Sequence, residues 1–358
     1  MNSTQKTVVM SDIHISNGAS YSWFQGPYVT YATTMFNRVA ADPNVAELVL
    51  LGDIFDNWLY PLNVVPLTTP QIVSGMDAGL RGAIQACVAK LPVVYYMNGN
   101  HDMGVQQADL AQLSSGGKQI QWIAADNYNS KHGNARRLEH GNACDMFNAP
   151  DPASDTIGGY SLGFFITRLV ASSKNQNAAW QKVKNVVDRN EANKAAYAAV
   201  SVNAAAMGEA AFPPYGAFLV GLIISALQVE AKVPDRQKIR FAEPALDNQF
   251  TVGDIKKHYW SLYDAWVALY PEYLVQTMLA GLLPNGLDWY ANLLLSQGVK
   301  PPIVMGHTHR GEQNPSGAAG YTNDGCWCNP SESGGGGKGM PTYAEVADSQ
   351  ATLLTFAP

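Results

Sequence analysis

Charged side chains are scarce in this sequence. Asp, Glu, Lys and Arg make up 15% of its 358 residues, whereas apolar residues reach 47%; in an average globular protein about a quarter of the residues are charged. That balance excludes a charge-rich unfolded chain and implies a large buried or sequestered apolar surface. A basic excess is also missing. The formal charge is −6, which argues against general nucleic-acid binding, because phosphate backbones are held by Lys- and Arg-rich surfaces. Cysteine is rare, and the spacing of Cys87, Cys144, Cys326 and Cys328 matches neither a zinc knuckle nor a redox pair. Reduced thiols in a cytoplasmic protein are the expectation. No apolar run reaches the roughly 18–20 residues that span a bilayer, so no transmembrane segment is expected. The longest run, about 217–227, suits a buried or interfacial helix. Residues 1–7 are polar, with no cationic stretch leading into an apolar one, and no signal peptide is expected.

What the sequence does have is alternation of strand-like and helix-like segments, the signature of an α/β layered sheet. Strands are predicted over 6–12, 47–52, from Pro92 to Met97 and over 120–124. Helices are predicted over 28–41, from Thr69 to about Lys90 with Thr69 as cap and Pro70 in the first turn, and over 103–115. The character shifts after about Pro150. Residues 175–210 read as one or two helices, 215–230 are strongly apolar, and 254–297 are helical with breaks at Pro271 and at Pro284-Asn285-Gly286. Strand character returns at 303–305, 320–328 and 341–356, with a glycine-rich turn over 334–339. A chain of this length exceeds one core, and the pattern predicts an α/β core from 1–150 and 299–358 interrupted by an all-helical insertion over 151–298.

Four short motifs carry nearly all the chemistry. They are Asp12-Ile13-His14, Gly52-Asp53-Ile54-Phe55-Asp56, Gly99-Asn100-His101-Asp102 and Gly306-His307-Thr308-His309, with His140-Gly141 between the last two. Each of the four ends an apolar run of strand type, and ligands of α/β sheets bind beyond the carboxyl ends of strands. The motifs are therefore expected to converge. Carboxylates, imidazoles and one amide form a ligand set for two adjacent metal ions. Two metals about 3.5–4 Å apart need a bridging ligand, and Asp53, with two oxygens at a strand end, suits that position. A phosphorylated substrate is compatible with the acidic chain, because bound metals reverse the local sign.

The ordered set resembles the calcineurin-like metallophosphoesterase superfamily, over about residues 6–148 and 299–357. The resemblance implies a four-layer α/β/β/α sandwich. It implies one site of Asp12, His14 and His309 and a second of Asn100, His140 and His307, with Asp53 shared. A hydroxide held between the metals would be the nucleophile. It also implies that His101 assists the leaving group and that Asp56 orients His101. Mn, Fe, Zn, Ni and Co all suit such mixed sites as divalent or trivalent ions.

Several residues have competing readings. His132-Gly133-Asn134 duplicates His140-Gly141-Asn142, but His132 lies in a turn-like stretch, and His140 follows Leu138 on a short strand and precedes Asp145 at the superfamily's spacing. His140 is favoured. Asp102 reads as a cap for the following helix, Asp56 has a helix-cap alternative, and His258 in the insertion is not expected to bind metal. Cys326 stands where the superfamily often has a small hydroxyl, and reads as a small buried side chain.

The insertion adjoins His140 and His307 in sequence, which predicts a helical cap. The phrase Gly52-Asp53-Ile54-Phe55-Asp56-Asn57-Trp58 also resembles UDP-diacylglucosamine pyrophosphatases, although that branch differs from this chain at His101 and has a shorter insertion. The leading expectation is a dinuclear phosphodiesterase or phosphomonoesterase acting on a phosphorylated small molecule or lipid-like substrate. A nucleotide-lipid pyrophosphatase is the alternative, and a catalytically silent scaffold the third reading.

Overall fold

The computed structural model describes residues 5–132, 137–149, 156–190, 192–198, 215–275, 286–315, 318–329 and 340–358. The expected boundary at 150–151, the break at Pro284-Asn285 and the glycine run at 334–339 lie outside them. The described chain is α/β with two mixed sheets. In the first, β1 (Lys6–Met10), β2 (Val45–Leu51), β3 (Val93–Met97) and β4 (Gln121–Ile123) run parallel in that order. Next to β1 lies the antiparallel hairpin of β9 (Thr342–Ala347) and β10 (Gln350–Thr355). The second sheet comprises β5 (Arg137–Glu139), β6 (Ile303–Met305), β7 (Gly311–Gln313) and β8 (Tyr321–Asp324) in the order β5-β6-β8-β7, parallel except for β7.

One apolar core lies between the sheets. Val9, Val49, Leu51 and Met97 meet Leu138 and Val304 of the second sheet, together with Ala344 and Val346. Successive side chains of a strand point to opposite faces, so Val8, Met10, Leu48 and Leu50, equally buried, serve the other face. There the helices Pro27–Ala41 and Ala78–Lys90 pack on each other and on β2 and β3. Burial on both faces explains why these strands read as continuous apolar runs.

Local chemistry sets the element ends. The helix expected over 69–90 is two helices, Thr69–Gly75 and Ala78–Lys90. Asp77 begins the second by accepting a bond from the Leu80 N–H at 2.9 Å. The first is capped by Thr68 with Gln71, one residue before the expected cap. Residues 103–115 hold a 3-10 helix, Gln107–Leu113, in place of an α-helix.

The chain divides into two compact units. The first comprises Met1–Trp58, Leu67–Asn142 and Asn285–Pro358; the second comprises Leu59–Pro66 and Ala143–Pro284. The helix Asp288–Ser296, expected with the insertion, groups with the first unit, where Tyr290 Oη lies 3.2 Å from a guanidinium nitrogen of Arg137 on β5. Among the described residues the helices of the second unit include Leu162–Ser172, Gln176–Asp188, Tyr215–Ala231, Val252–His258 and Leu262–Leu269, and Lys238 and Thr251 make an isolated bridge. Its segment Leu59–Pro66 is held by Arg168, a fully buried arginine. The Arg168 guanidinium donates to the carbonyls of Tyr60, Pro61, Val64 and Arg240 at 2.5–2.9 Å. No helix among the described residues is long and apolar enough to cross a membrane.

Candidate metal centre

The motifs gather at the carboxyl ends of the parallel strands, and backbone bonds fasten those ends together. The Asp12 N–H donates to Gly52 O, the His14 N–H to Asp53 O, the Gly306 N–H to His140 O and the Trp327 N–H to Asp12 O, at 2.9–3.1 Å. Asp12, His14, Asp53, His307 and His309 all adopt left-handed backbone, with φ between 51° and 72°. Such conformations cost a non-glycine residue about 1 kcal/mol or more and persist only where the surroundings impose them. At Gly99 a Cβ would stand 2.3 Å from Asp53 Oδ1, and at Gly52, with φ of 85°, 2.6 Å from the His140 ring. These two positions must be glycine for the ligand side chains to approach.

Four groups of donor atoms form among the described residues, and two of them meet at Asp53. Asp12, His14, Asp53 and His309 each offer one atom within 4.8 Å of the others, as do Asp53, His140 and His307. His14 Nε2 lies 3.0 Å from His309 Nε2, 3.8 Å from Asp12 Oδ1 and 3.9 Å from Asp53 Oδ2. His309 Nε2 lies 3.1 Å from Asp12 Oδ1. Asp53 Oδ2 is also 3.2 Å from His140 Nε2, so one carboxylate oxygen reaches both groups. Its other oxygen accepts the His101 N–H at 2.7 Å, and Asp12 Oδ2 accepts the His307 N–H at 2.9 Å. Asn100 is buried in the same turn as His101.

The imidazoles are oriented from behind. A carboxylate or carbonyl oxygen only accepts, so the facing ring nitrogen must donate. Asp56 therefore takes the Nδ1–H of His14 through Oδ2 at 3.1 Å and that of His101 through Oδ1 at 3.0 Å. Leu51 O takes the Nδ1–H of His140 at 2.9 Å. The Nε2 lone pairs of His14 and His140 are thereby turned inward, as metal-binding histidines require. His101 is further stacked on Trp58, 4.8 Å between centroids at 30°, and meets His14 edge-on at 4.6 Å.

The donors fit a cation. Burial opposes ionisation of Asp53, yet the surrounding His140, His101 and His14 hold its carboxyl well below the usual range. Burial likewise opposes a charge on His14 and His140. Asp12, Asp56 and Asp53 outweigh it at His14, lifting its pKa well above the ordinary value. Asp53 and Asp12 lift that of His140 to about 10. Protons on the rings thus balance buried carboxylates where a metal would displace them. Asp12 Oδ1 and His140 Nε2 have only the charged contacts at 3.1 and 3.2 Å, which miss hydrogen-bond geometry, and His309 Nδ1 is buried without a hydrogen-bond partner among the described residues. Such atoms are rare unless water or an ion answers them. The buried His/Asp cluster could therefore hold metal.

The structure separates the two His-Gly candidates. Glu47 Oε2 accepts the His132 N–H at 3.2 Å, and His132 O accepts the Thr7 hydroxyl at 2.6 Å, at the opposite, amino-terminal ends of β1 and β2. His258 packs edge-on against Phe250 in the second unit. Asp145 accepts from the Phe147 N–H at 2.9 Å, closing a turn. Asp102 is not the expected cap. It accepts the N–H groups of Gly99 at 2.6 Å and Ile54 at 2.8 Å, and the Tyr96 hydroxyl, tying the Asp53 loop to the Gly99 turn. Burial, then Asp53, pushes its carboxyl up to about 6. Sequence reasoning passed over Ser11 and Asp324, joined at 2.6 Å behind Asp12. It also passed over Cys328, which joins His14 and His309 in a third donor group. All four positions of the polar strand Tyr321–Asp324 are buried, which its composition alone did not signal. No family model matches the chain, and no curated protein matches it either.

Proposed function

We propose that this protein is a dinuclear metal-dependent hydrolase of phosphate esters, acting on a phosphodiester or phosphomonoester, on the four-layer α/β/β/α plan of the calcineurin-like metallophosphoesterases. One observation carries the reading: the two donor groups overlap at Asp53, as a pair of ions sharing one carboxylate requires. Two divalent or trivalent ions there (Mn, Fe, Zn, Ni or Co) would polarise the phosphoryl oxygen and make a water acidic enough to attack near neutral pH. Asp12, His14 and His309 would hold one ion and Asn100, His140 and His307 the other. His101 is the group that moves a proton. With its Nδ1–H on Asp56, its Nε2 can carry a proton to the leaving-group oxygen as the P–O bond breaks.

A nucleotide-lipid pyrophosphatase is the second reading. The resemblance at 52–58 supports it, as does the apolar helix Tyr215–Ala231, where Val229 is 73% exposed. We assign substrate selection to the second unit, because the chain enters it at Leu59, three residues after Asp56, and at Ala143, three residues after His140. The test is a hydrolysis panel of mono-, di- and pyrophosphate esters with each metal in turn. Turnover of a mono- or diester is expected, reduced in His101→Ala. Turnover of pyrophosphates alone favours the second reading, and metal binding without turnover of any ester leaves the silent scaffold.

A further inference from the structure

Cys328 is fully buried, and one atom each of Cys328, His14 and His309 lie within 4.8 Å of one another. The cysteine is carried there by a pinned segment. The preceding residue, Trp327, donates its N–H to Asp12 O at 3.0 Å, and the following residue, Asn329, donates its N–H to Trp23 O at 3.0 Å. Cys326, the sulfur nearest in sequence, lies with its Sγ 3.8 Å from Cys328 O and joins no donor group among the described residues. His309, which shares this group with Cys328, has its Nδ1 buried without a hydrogen-bond partner among the described residues. Asp12 Oδ1 is 3.1 Å from His309 Nε2. A sulfur grouped with two imidazoles is a set of donors that suits a borderline-soft metal ion.

We infer that Cys328 is a thiolate ligand of the ion held by His14 and His309. The inference rests on the metal-centre reading above. On binding, the thiol proton leaves to solvent and a sulfur–metal bond forms, since the thiolate and not the thiol is the ligand. Sulfur favours borderline-soft ions, and oxygen-preferring ions such as Mn and Mg gain little from it. The two halves of the centre are then chemically unequal. The half with Cys328 selects Zn, Co or Fe, whereas the half with Asn100, His140 and His307 has no sulfur and is the more permissive.

The test uses the full-length protein stripped by a chelator and titrated with Co²⁺, read by electronic absorption. Bound Co²⁺ gives visible ligand-field bands, and a thiolate ligand adds an intense near-ultraviolet charge-transfer band. The wild type and Cys326→Ser are expected to show both. Cys328→Ser and Cys328→Ala are expected to keep ligand-field bands and lose the charge-transfer band, with Zn²⁺ affinity lower by about 10–100-fold, the scale of a disturbed metal shell. A band that survives in Cys328→Ser, or that is absent from the cobalt-loaded wild type, overturns the inference and leaves the metal centre standing. Failure to bind Co²⁺ at all overturns the centre itself. Should both Cys328 variants fail to fold, the combined Cys87→Ser, Cys144→Ser, Cys326→Ser protein decides. Its band supports Cys328, and a cobalt-loaded protein without one overturns it.

Discussion

Asp56 shows how much one residue settles in this centre. Its two oxygens each orient a different imidazole, His14 and His101, and its Oδ1 also accepts the Trp58 N–H at 2.9 Å. In the proposed mechanism, metal binding and proton transfer share this one support, and substitutions must be chosen to separate them. Asp53→Asn keeps shape but removes the charge that two ions would share. Elemental analysis of the purified variant is expected to find both ions lost, and two tightly bound ions per chain would refute the shared-ligand assignment. His101→Ala is expected to keep the metals and lower kcat by roughly 10²–10⁴-fold, the scale of a lost acid–base group. Loss of metal from that variant would instead make His101 a ligand. A third residue gives a control outside the site. Burial pushes the Cys87 thiol up to about 12, and its Sγ lies 3.1 Å from Phe36 O. In the native protein near pH 8, mass mapping after iodoacetamide is expected to find Cys87 unmodified and half-buried Cys144 alkylated first.

At the scale of elements, the centre is a property of strand ends. β1, β2, β3, β5 and β6 each deliver a motif within three residues of their last position, and the cross-links between their ends fix the separations. Gly52→Ala would drive a methyl into the His140 ring and force an L-residue to φ of 85°. It is expected to cost about 1–3 kcal/mol of stability and to weaken metal binding, measured by denaturant unfolding and by metal titration. Wild-type affinity in that variant would mean that His140 moves aside freely. The strands themselves were legible because both faces of β1, β2 and β3 are buried, which leaves unbroken apolar runs. The motifs were legible because chemistry clusters at the ends of those runs. Other features depend on partners distant in sequence. Asp102 resembles a helix cap until Ile54 and Tyr96 are seen around its carboxylate. Cys328 has no motif of its own and reaches His14 only because Trp327 bonds to Asp12. The break between the two helices of 69–90 was written in Gly75 and Asp77, but the surrounding helical composition masked it.

At the scale of the whole molecule, the chain enters the second unit twice, first for the short passage Leu59–Pro66 and then for Ala143–Pro284. Arg168 joins the two visits. Its buried charge is answered by carbonyl dipoles, three of them from the short passage. Arg168→Met preserves the bulk and strands those carbonyls, each of which loses a charge-assisted bond. The variant is expected to be less stable by roughly 3 kcal/mol or more, read as a lower melting temperature by circular dichroism. An unchanged melting temperature would show that water replaces the guanidinium. An excision meant to remove the second unit must also take residues 59–66, because Leu59, Tyr60 and Leu62, now buried, would otherwise be bare.

Five metal-centre residues hold backbone that suits glycine better than themselves. A large library of variants would register this as a conflict between two selections. Sorted for cellular abundance, glycine at positions 12, 14, 53, 307 and 309 should outperform alanine, because each glycine relieves about 1 kcal/mol of conformational strain. Sorted for turnover, both should score as losses. If the proposed activity were lost, chains that replace these residues would then favour glycine over alanine at them, and the record of the centre would survive only as a row of glycines.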